Sequence, residues 1–211
     1  MIPDKLSFAS RKRTLWYRVA QSRGAPMCGF AGFVSREQRP GTGEARMAVA
    51  RAMGRQLRRR GPDDEQFLST DRLTLVFRRL AIVDCAGGRQ PIANEDGTIF
   101  LAVNGEIYNH RELRSGLRGT HRFRSRSDSE VVLHLYEERG PAALDALVGM
   151  FAIAIWDEGA GRLLLARDRL GIKPLYYATP GADLLFASEL KALLVHPDAP
   201  REFAWQDLNH V

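Results

Sequence analysis

Cysteine is scarce in this chain: Cys28 and Cys85 are the only two in 211 residues. Two cysteines cannot build a disulfide framework, and their spacing matches no C-x-x-C metal or redox pattern. A reducing, cytoplasmic setting is therefore expected, which also suits a free reactive thiol. No apolar run approaches the roughly 20 residues that a membrane-spanning helix needs. Residues 1–26 hold no apolar stretch of about 7–15 residues, which excludes a secretory signal peptide. Phosphate loops of the G-x-x-x-x-G-K-S/T type are missing. The five histidines are scattered and give sequence support to neither a metal set nor a Ser-His-Asp triad. A net charge of +6 suggests nucleic acid, but its location argues against that. Lys5, Arg11, Lys12, Arg13, Arg18 and Arg23, set against Asp4, place +5 of it before residue 28. The remainder is nearly neutral and carries no electrostatic footprint for a polyanion.

What is present is ordinary in bulk: 45% hydrophobic and 27% charged residues, long enough for one well-buried domain with a short appendage. The distinctive stretch is Met27-Cys28-Gly29-Phe30-Ala31-Gly32-Phe33-Val34, a cysteine followed by a glycine-punctuated apolar strand. Cys28 can be read as a buried structural residue, as free cysteine often is. The sharper reading is a nucleophile whose own α-amino group serves as its base, which works only if Cys28 is residue one of the mature chain. Residues 1–26 are basic and end in Gly24-Ala25-Pro26. They fit a transit-like presequence, a short propeptide or an over-called translation start, with an extra ordered helix as the structural alternative. The over-called start is the expectation, because initiation at Met27 and removal of that methionine exposes Cys28. The expected organisation is an extension over 1–27, a domain over 28–200, and a tail or linker over 201–211.

Along the domain, Glu44 to Arg59 has helical spacing through Ala45, Ala48, Ala52 and Leu57, with most arginines opposite. Arg60-Gly61-Pro62-Asp63 ends it, and Arg58 to Arg60 read as a solvated helix end rather than an anion site. Leu73 to Asp84 and Thr98 to Asn104 read as strands, separated by turn signals at Ala86-Gly87-Gly88 and Asn94 to Gly97. Ser127 or Asp128 is a good N-cap for a helix over Ser129 to Arg139, and Pro141 opens a second short one. Two hairpins follow: Phe151 to Asp157 with Arg162 to Arg167, and Leu175 to Ala178 with Leu184 to Ala187. A short helix is expected over Ser188 to Leu194. Strands in antiparallel pairs with helices in two blocks predict antiparallel sheets covered by helices, not a doubly wound parallel sheet.

Several ordered segments carry a resemblance: MCGFAG, RRGPD, RRLAIVD, QPIANEDG, AVNGEIYNH, SRSDSEVVLHLYEERG, GMFAIAIWD, RDRLGIKPLYY and FASELKALL. From Cys28 to about His196 they are similar, in the same order, to the glutaminase domain of glutamine-dependent asparagine synthetase, a class II amidotransferase. The resemblance implies an α+β fold of the N-terminal-nucleophile hydrolase type: a four-layer αββα sandwich with two antiparallel sheets face to face. The NGEIYNH and DRLGIKPLYY forms look more like this branch than the purine or glucosamine branches.

The resemblance also implies roles. Cys28 matches the nucleophile. Asn104 and Gly105 match the oxyanion hole, although Asn-Gly alone is a common turn pair. Arg79 matches the clamp for the glutamine α-carboxylate, where a planar guanidinium binds bidentately; Arg78 reads as surface. Glu106 and Asp128 match positions that hold the α-ammonium, with helix capping as the competing use of Asp128. Cys85 reads as a bystander, and Asp168 and Arg169 as architectural or as lining the route for ammonia. The family usually has histidine at the positions of Arg59 and Phe77, which leaves packing and communication with a partner domain open.

The implied activity is glutamine hydrolysis to glutamate and ammonia through a Cys28 thioester, with no metal and no cofactor. Ammonia would pass to an ATP-activated carboxylate, aspartate in the first instance. That step needs ATP and Mg²⁺ in a synthetase domain that is absent from these 211 residues and would be supplied in trans. A homodimer is compatible with the family; membrane and nucleic-acid partners are not expected. One rival is a non-catalytic glutamine-binding or regulatory module with Cys28 blocked. Another is an amidotransferase subunit serving a different carboxylate.

Overall fold

Five strands alternate between two apolar environments, and that alternation builds the layers. Strand β1 (Gly29–Val34) sends Phe30 and Val34 one way and Ala31 and Phe33 the other. Strands β3 (Leu73–Arg79) and β9 (Leu184–Ala187) alternate in the same sense. In β5 (Ile99–Ile107) and β6 (Gly149–Asp157), Ala102, Ala152, Ala154 and Trp156 face the same interior as Phe30, while Leu101, Val103, Ile153 and Ile155 face away. A period of two with both faces apolar requires cover on both sides.

The computed structural model describes residues 27–35, 43–81, 88–117 and 119–202. The first sheet has order β2-β3-β1-β9-β8, adding β2 (Asp64–Ser69) and β8 (Tyr176–Ala178). The second has order β4-β5-β6-β7, with β4 (Ile92–Ala93) and β7 (Arg162–Arg167). All pairings are antiparallel. Helices α1 (Gly43–Gln56) and α4 (Leu190–Leu193) cover the outer face of the first sheet, burying Met53 and Leu193, with Leu57 just past α1, against Phe33 and Leu185. Helices α2 (His110–Leu117) and α3 (Glu130–Arg139) cover the second, burying Val131, Val132 and Leu135 against Val103 and Ile153. The result is the αββα sandwich, with Phe30, Leu75, Phe77, Trp156 and Phe186 between the sheets.

Both expected hairpins form, β6–β7 with Asp157↔Arg162 and β8–β9 with Ala178↔Leu185. Other expectations need correction. Helix α1 stops at Gln56, and 57–60 is a chain of turns. Strand β2 carries no apolar alternation and is half-buried at a sheet edge, so it left no sequence signal. Helix α2 buries only Leu117, too little for a recognisable stripe. Strand β3 ends at Arg79, not Asp84; residues 82–87, with Asp84, Cys85 and the start of the Ala86-Gly87-Gly88 turn, lie outside the described residues, as do 1–26. The N-cap of α3 is Ser129, without a side-chain cap bond. No helix among the described residues is long and apolar enough to cross a membrane.

Candidate active site around Cys28

Cys28 stands immediately before β1, and its thiol rests against the end of β3. Sγ lies 3.6 Å from the Leu80 carbonyl and accepts the Leu80 N–H at 3.3 Å. Burial pushes the thiol pKa above its ordinary 9.0; the Leu80 N–H and the charges of Arg79 and Arg60 pull the other way without cancelling it. With an amide on its nitrogen, Cys28 is therefore a protonated thiol near neutral pH.

Arg60 organises this corner. Its Nε donates to the Cys28 carbonyl at 3.0 Å, and Nη1 pairs with Glu189 at 3.4 Å. Asn104 is oriented so that both amide atoms are satisfied: Nδ2 donates to the Cys28 carbonyl at 2.8 Å and Oδ1 accepts from Arg60 Nη2 at 3.2 Å. Arg60 thus joins the Cys28 backbone to Asn104, whereas Arg58 and Arg59 are exposed. The expectation of a solvated Arg58–Arg60 end fails at Arg60 alone. Gly61 makes the turn possible, because a Cβ there would lie 2.4 Å from the Arg78 backbone. Arg78 is likewise no surface residue: it pairs with Glu65 at 3.1 Å and donates to the Gly54 carbonyl.

Asn104 and Gly105 belong to β5, in the sheet facing Cys28. Asn104 is buried, and it spends one of its two amide hydrogens on the Cys28 carbonyl. At Gly105, with φ of +156°, a Cβ would meet the Met150 carbonyl at 2.0 Å, so the position admits only glycine. Gln90 clamps the strand beside them, donating to the Val103 carbonyl at 3.0 Å and accepting its N–H at 2.6 Å. Glu106 is exposed at the rim. Asp128 does not cap α3; its Oδ2 accepts the Ile107 N–H at 2.7 Å and ties the loop before α3 to the end of β5.

Cys28, Arg79, Asn104, Gly105, Glu106 and Asp128 line a single cleft of about 100 Å³. They come from both sheets and from the loop before α3. Met27 and Lys173 line it too, with Lys173 Nζ 3.1 Å from Met27 Sδ. Lys173 is held in place by Asp168, which accepts the N–H groups of Phe151, Ile172 and Lys173. Burial raises the Asp168 pKa, but these three donors outweigh it and hold the carboxyl below its ordinary range. Arg169 donates to the Leu147 carbonyl, an architectural contact.

The family model described as glutamine amidotransferase domain matches residues 27–211. The chain belongs to this family. Glutamine-hydrolysing asparagine synthetase 2 of Bacillus subtilis is 46% identical over 181 residues, which is 86% of this chain and 24% of that one. Asparagine synthetase B of Escherichia coli is 47% identical over 144 residues, covering 67% of this chain and 26% of its own. A solved glutamine phosphoribosylpyrophosphate amidotransferase from B. subtilis, complexed with ADP and GMP, superposes with a TM-score of 0.63 at 21% identity. It covers 80% of this chain and 43% of that one, a likeness of fold. The chain spans about a quarter of the length of the curated relatives it matches.

In this amidotransferase domain, sequence reasoning missed Gln90 and Lys173 as cleft residues and Arg60 as the side chain that braces Cys28 and Asn104. Arg60 was masked by two exposed arginines beside it, and Gln90 and Lys173 sit in quoted segments whose individual members carry no local signal. The two departures from family pattern lie apart: Arg59 is exposed, while Phe77 is 1% exposed and packs between the sheets.

Proposed function

We propose that this domain hydrolyses glutamine to glutamate and ammonia, with Cys28 as nucleophile once its α-amino group is free. What carries the reading is the convergence on one cleft of a thiol, a buried amide, Arg79 on one wall, and Glu106 and Asp128 on another. A free amino acid is a zwitterion. Arg79 suits its α-carboxylate, and Glu106 and Asp128 suit its α-ammonium. The side-chain amide then reaches Cys28. The free α-amine, with a reference pKa of about 7.7–8.0, takes the thiol proton as Sγ attacks the amide carbon. The oxyanion is held by the second Asn104 amide hydrogen and the Gly105 N–H, each such donor contributing about 10²–10³ in rate. The C–N bond breaks, the amine returns the proton to the departing ammonia, and water hydrolyses the thioester to glutamate.

Residues 1–27 are then removed or never made, and the domain acts in the cytoplasm. The ammonia goes to an ATP-activated carboxylate, aspartate by resemblance to the relatives, in a synthetase domain requiring ATP and Mg²⁺; another carboxylate acceptor and a homodimeric assembly fit the same site. The glutaminase step itself calls on no cofactor.

A second reading, a binding module without catalysis, rests on Met27. Its N–H donates to the Arg60 carbonyl at 2.9 Å and its side chain lines the cleft, so a retained Met27 obstructs the nucleophile. Intact mass and glutamate release, measured on one preparation, separate the two. A chain starting at Cys28 should release glutamate; Cys28→Ala, or an alanine inserted between Met27 and Cys28, should abolish release, and Cys85→Ala should not. Glutamate release by a chain that still begins at Met1, or equal losses in both cysteine variants, overturns the proposal.

A further inference from the structure

Away from the cleft, the fold gathers histidines that the sequence left scattered. His121, in the segment before α3, stacks on His134 of α3 with ring centroids 4.6 Å apart and 30° between planes. Glu95 comes from the β4–β5 turn and Glu137 from one helical turn beyond His134. Their ligand atoms all lie within 4.8 Å of one another. His134 Nδ1 is 2.8 Å from Glu137 Oε2 and 4.0 Å from Glu95 Oε2, and His121 Nδ1 is 3.4 Å from Glu137 Oε2.

The opposite ring nitrogens also face carboxylates. His121 Nε2 is 3.4 Å from Glu138 Oε1, and His134 Nε2 is 3.8 Å from Glu130 Oε1; both Nε2 atoms are buried without a hydrogen-bond partner among the described residues. His134 is 2% exposed. A single divalent cation at the two Nδ1 atoms sits among four ligand atoms that lie within 4.8 Å of one another and balances the Glu95 and Glu137 carboxylates.

The geometry points to a transition-metal site of the Zn²⁺ class, ligated by His121 Nδ1, His134 Nδ1, Glu137 Oε2 and Glu95 Oε2. Bonds of about 2.0–2.1 Å to a tetrahedral ion put its ligands about 3.3 Å apart, within about 1.5 Å of the separations here. The supporting contacts are those metal ligands use: each ring's far nitrogen faces a carboxylate, Asn94 Nδ2 holds Glu137 Oε1 at 3.0 Å, and the Arg122 N–H holds Glu95 Oε1 at 2.9 Å. The ion would bind the β4–β5 turn and the 119–128 segment to α3, fixing the loop that delivers Asp128 to the cleft. It is structural, because none of its four ligands lines the Cys28 cleft.

The test uses the full untagged chain carrying Cys28→Ser and Cys85→Ser, so that thiolates cannot bind metal. Zn²⁺ titrated against a chromogenic chelator should bind with one ion per chain. Co²⁺ should give the d–d absorption of a tetrahedral N/O site without a thiolate charge-transfer band. Glu95→Gln, at an exposed position, and His121→Ala should weaken Zn²⁺ by about 10-fold to 100-fold or more, and Zn²⁺ should raise the thermal midpoint of the parent but not of His121→Ala. Absence of stoichiometric Zn²⁺ binding, or an affinity within threefold of the parent in both variants, overturns the site.

Discussion

Arg60→Met removes the side chain that joins the Cys28 backbone to Asn104 while keeping most of its apolar stem. Three contacts disappear: to the Cys28 carbonyl at 3.0 Å, to Asn104 Oδ1 at 3.2 Å and to Glu189 at 3.4 Å. The Glu189 pair is worth little, at most about 1 kcal/mol, because its carboxylate is partly solvated. The other two matter more. A hydrogen bond from a charged donor contributes about 1.5–3 kcal/mol, and an orphaned buried acceptor costs about 1–3 kcal/mol. The Cys28 carbonyl keeps its Asn104 donor, so only Asn104 Oδ1, in a residue 1% exposed, is left without one. A loss of about 3 kcal/mol is expected, a large share of the roughly 5–15 kcal/mol that folds a domain. Denaturant unfolding of the parent and Arg60→Met should show it as a lower midpoint at unchanged slope. Glutamate release should fall further than the folded fraction, because both Cys28 and Asn104 lose their alignment. Arg60→Lys, with one ammonium for two acceptors, should fall between. A midpoint equal to the parent's together with release within twofold would refute the role given to Arg60.

Three further outcomes are expected. Gly105→Ala drives a Cβ to 2.0 Å from the Met150 carbonyl; displacing β6 should cost about 3 kcal/mol or more, seen as a thermal midpoint lower by about 10 °C. Asp168→Asn should destabilise by about 2–4 kcal/mol at pH 7, since three backbone donors lose a charged acceptor. Its depressed native pKa means the parent's advantage is fully present above the ordinary carboxyl value of 3.8 and disappears as pH falls through the native value, so parent and variant midpoints should converge in acid. Cys28 in a chain retaining Met27 should alkylate with iodoacetamide more slowly at pH 7.5 than an unhindered thiol of pKa 9.0, and denaturation should restore the ordinary rate; a native rate equal to the denatured one contradicts the raised pKa.

Much of the fold was legible because apolar alternation and turn residues are local signals. The β6–β7 and β8–β9 hairpins, α3 and the strand after Cys28 announced themselves through period and punctuation. Strand β2 and helix α2 did not, since each buries too little to leave a stripe, and the end of β3 at Arg79 depends on what the chain meets there. The sandwich itself came through resemblance: periodicity reaches antiparallel sheets under helices and cannot say which sheet faces which.

Sequence by itself determined the chemistry available: a cysteine before a glycine-rich strand, an Asn-Gly pair, one arginine and two acidic residues in recognisable segments. Tertiary structure alone decided that Cys28, Arg79, Asn104, Gly105, Glu106 and Asp128 share a cleft, because the sheets that carry them pair residues far apart in the chain. It also reassigned side chains whose neighbours misled. Arg60 turns inward beside exposed Arg58 and Arg59, Asp128 holds β5 instead of capping α3, and His121 and His134 meet across a helix face. Those outcomes follow from packing between segments, a three-dimensional property with no periodicity along the chain to record it.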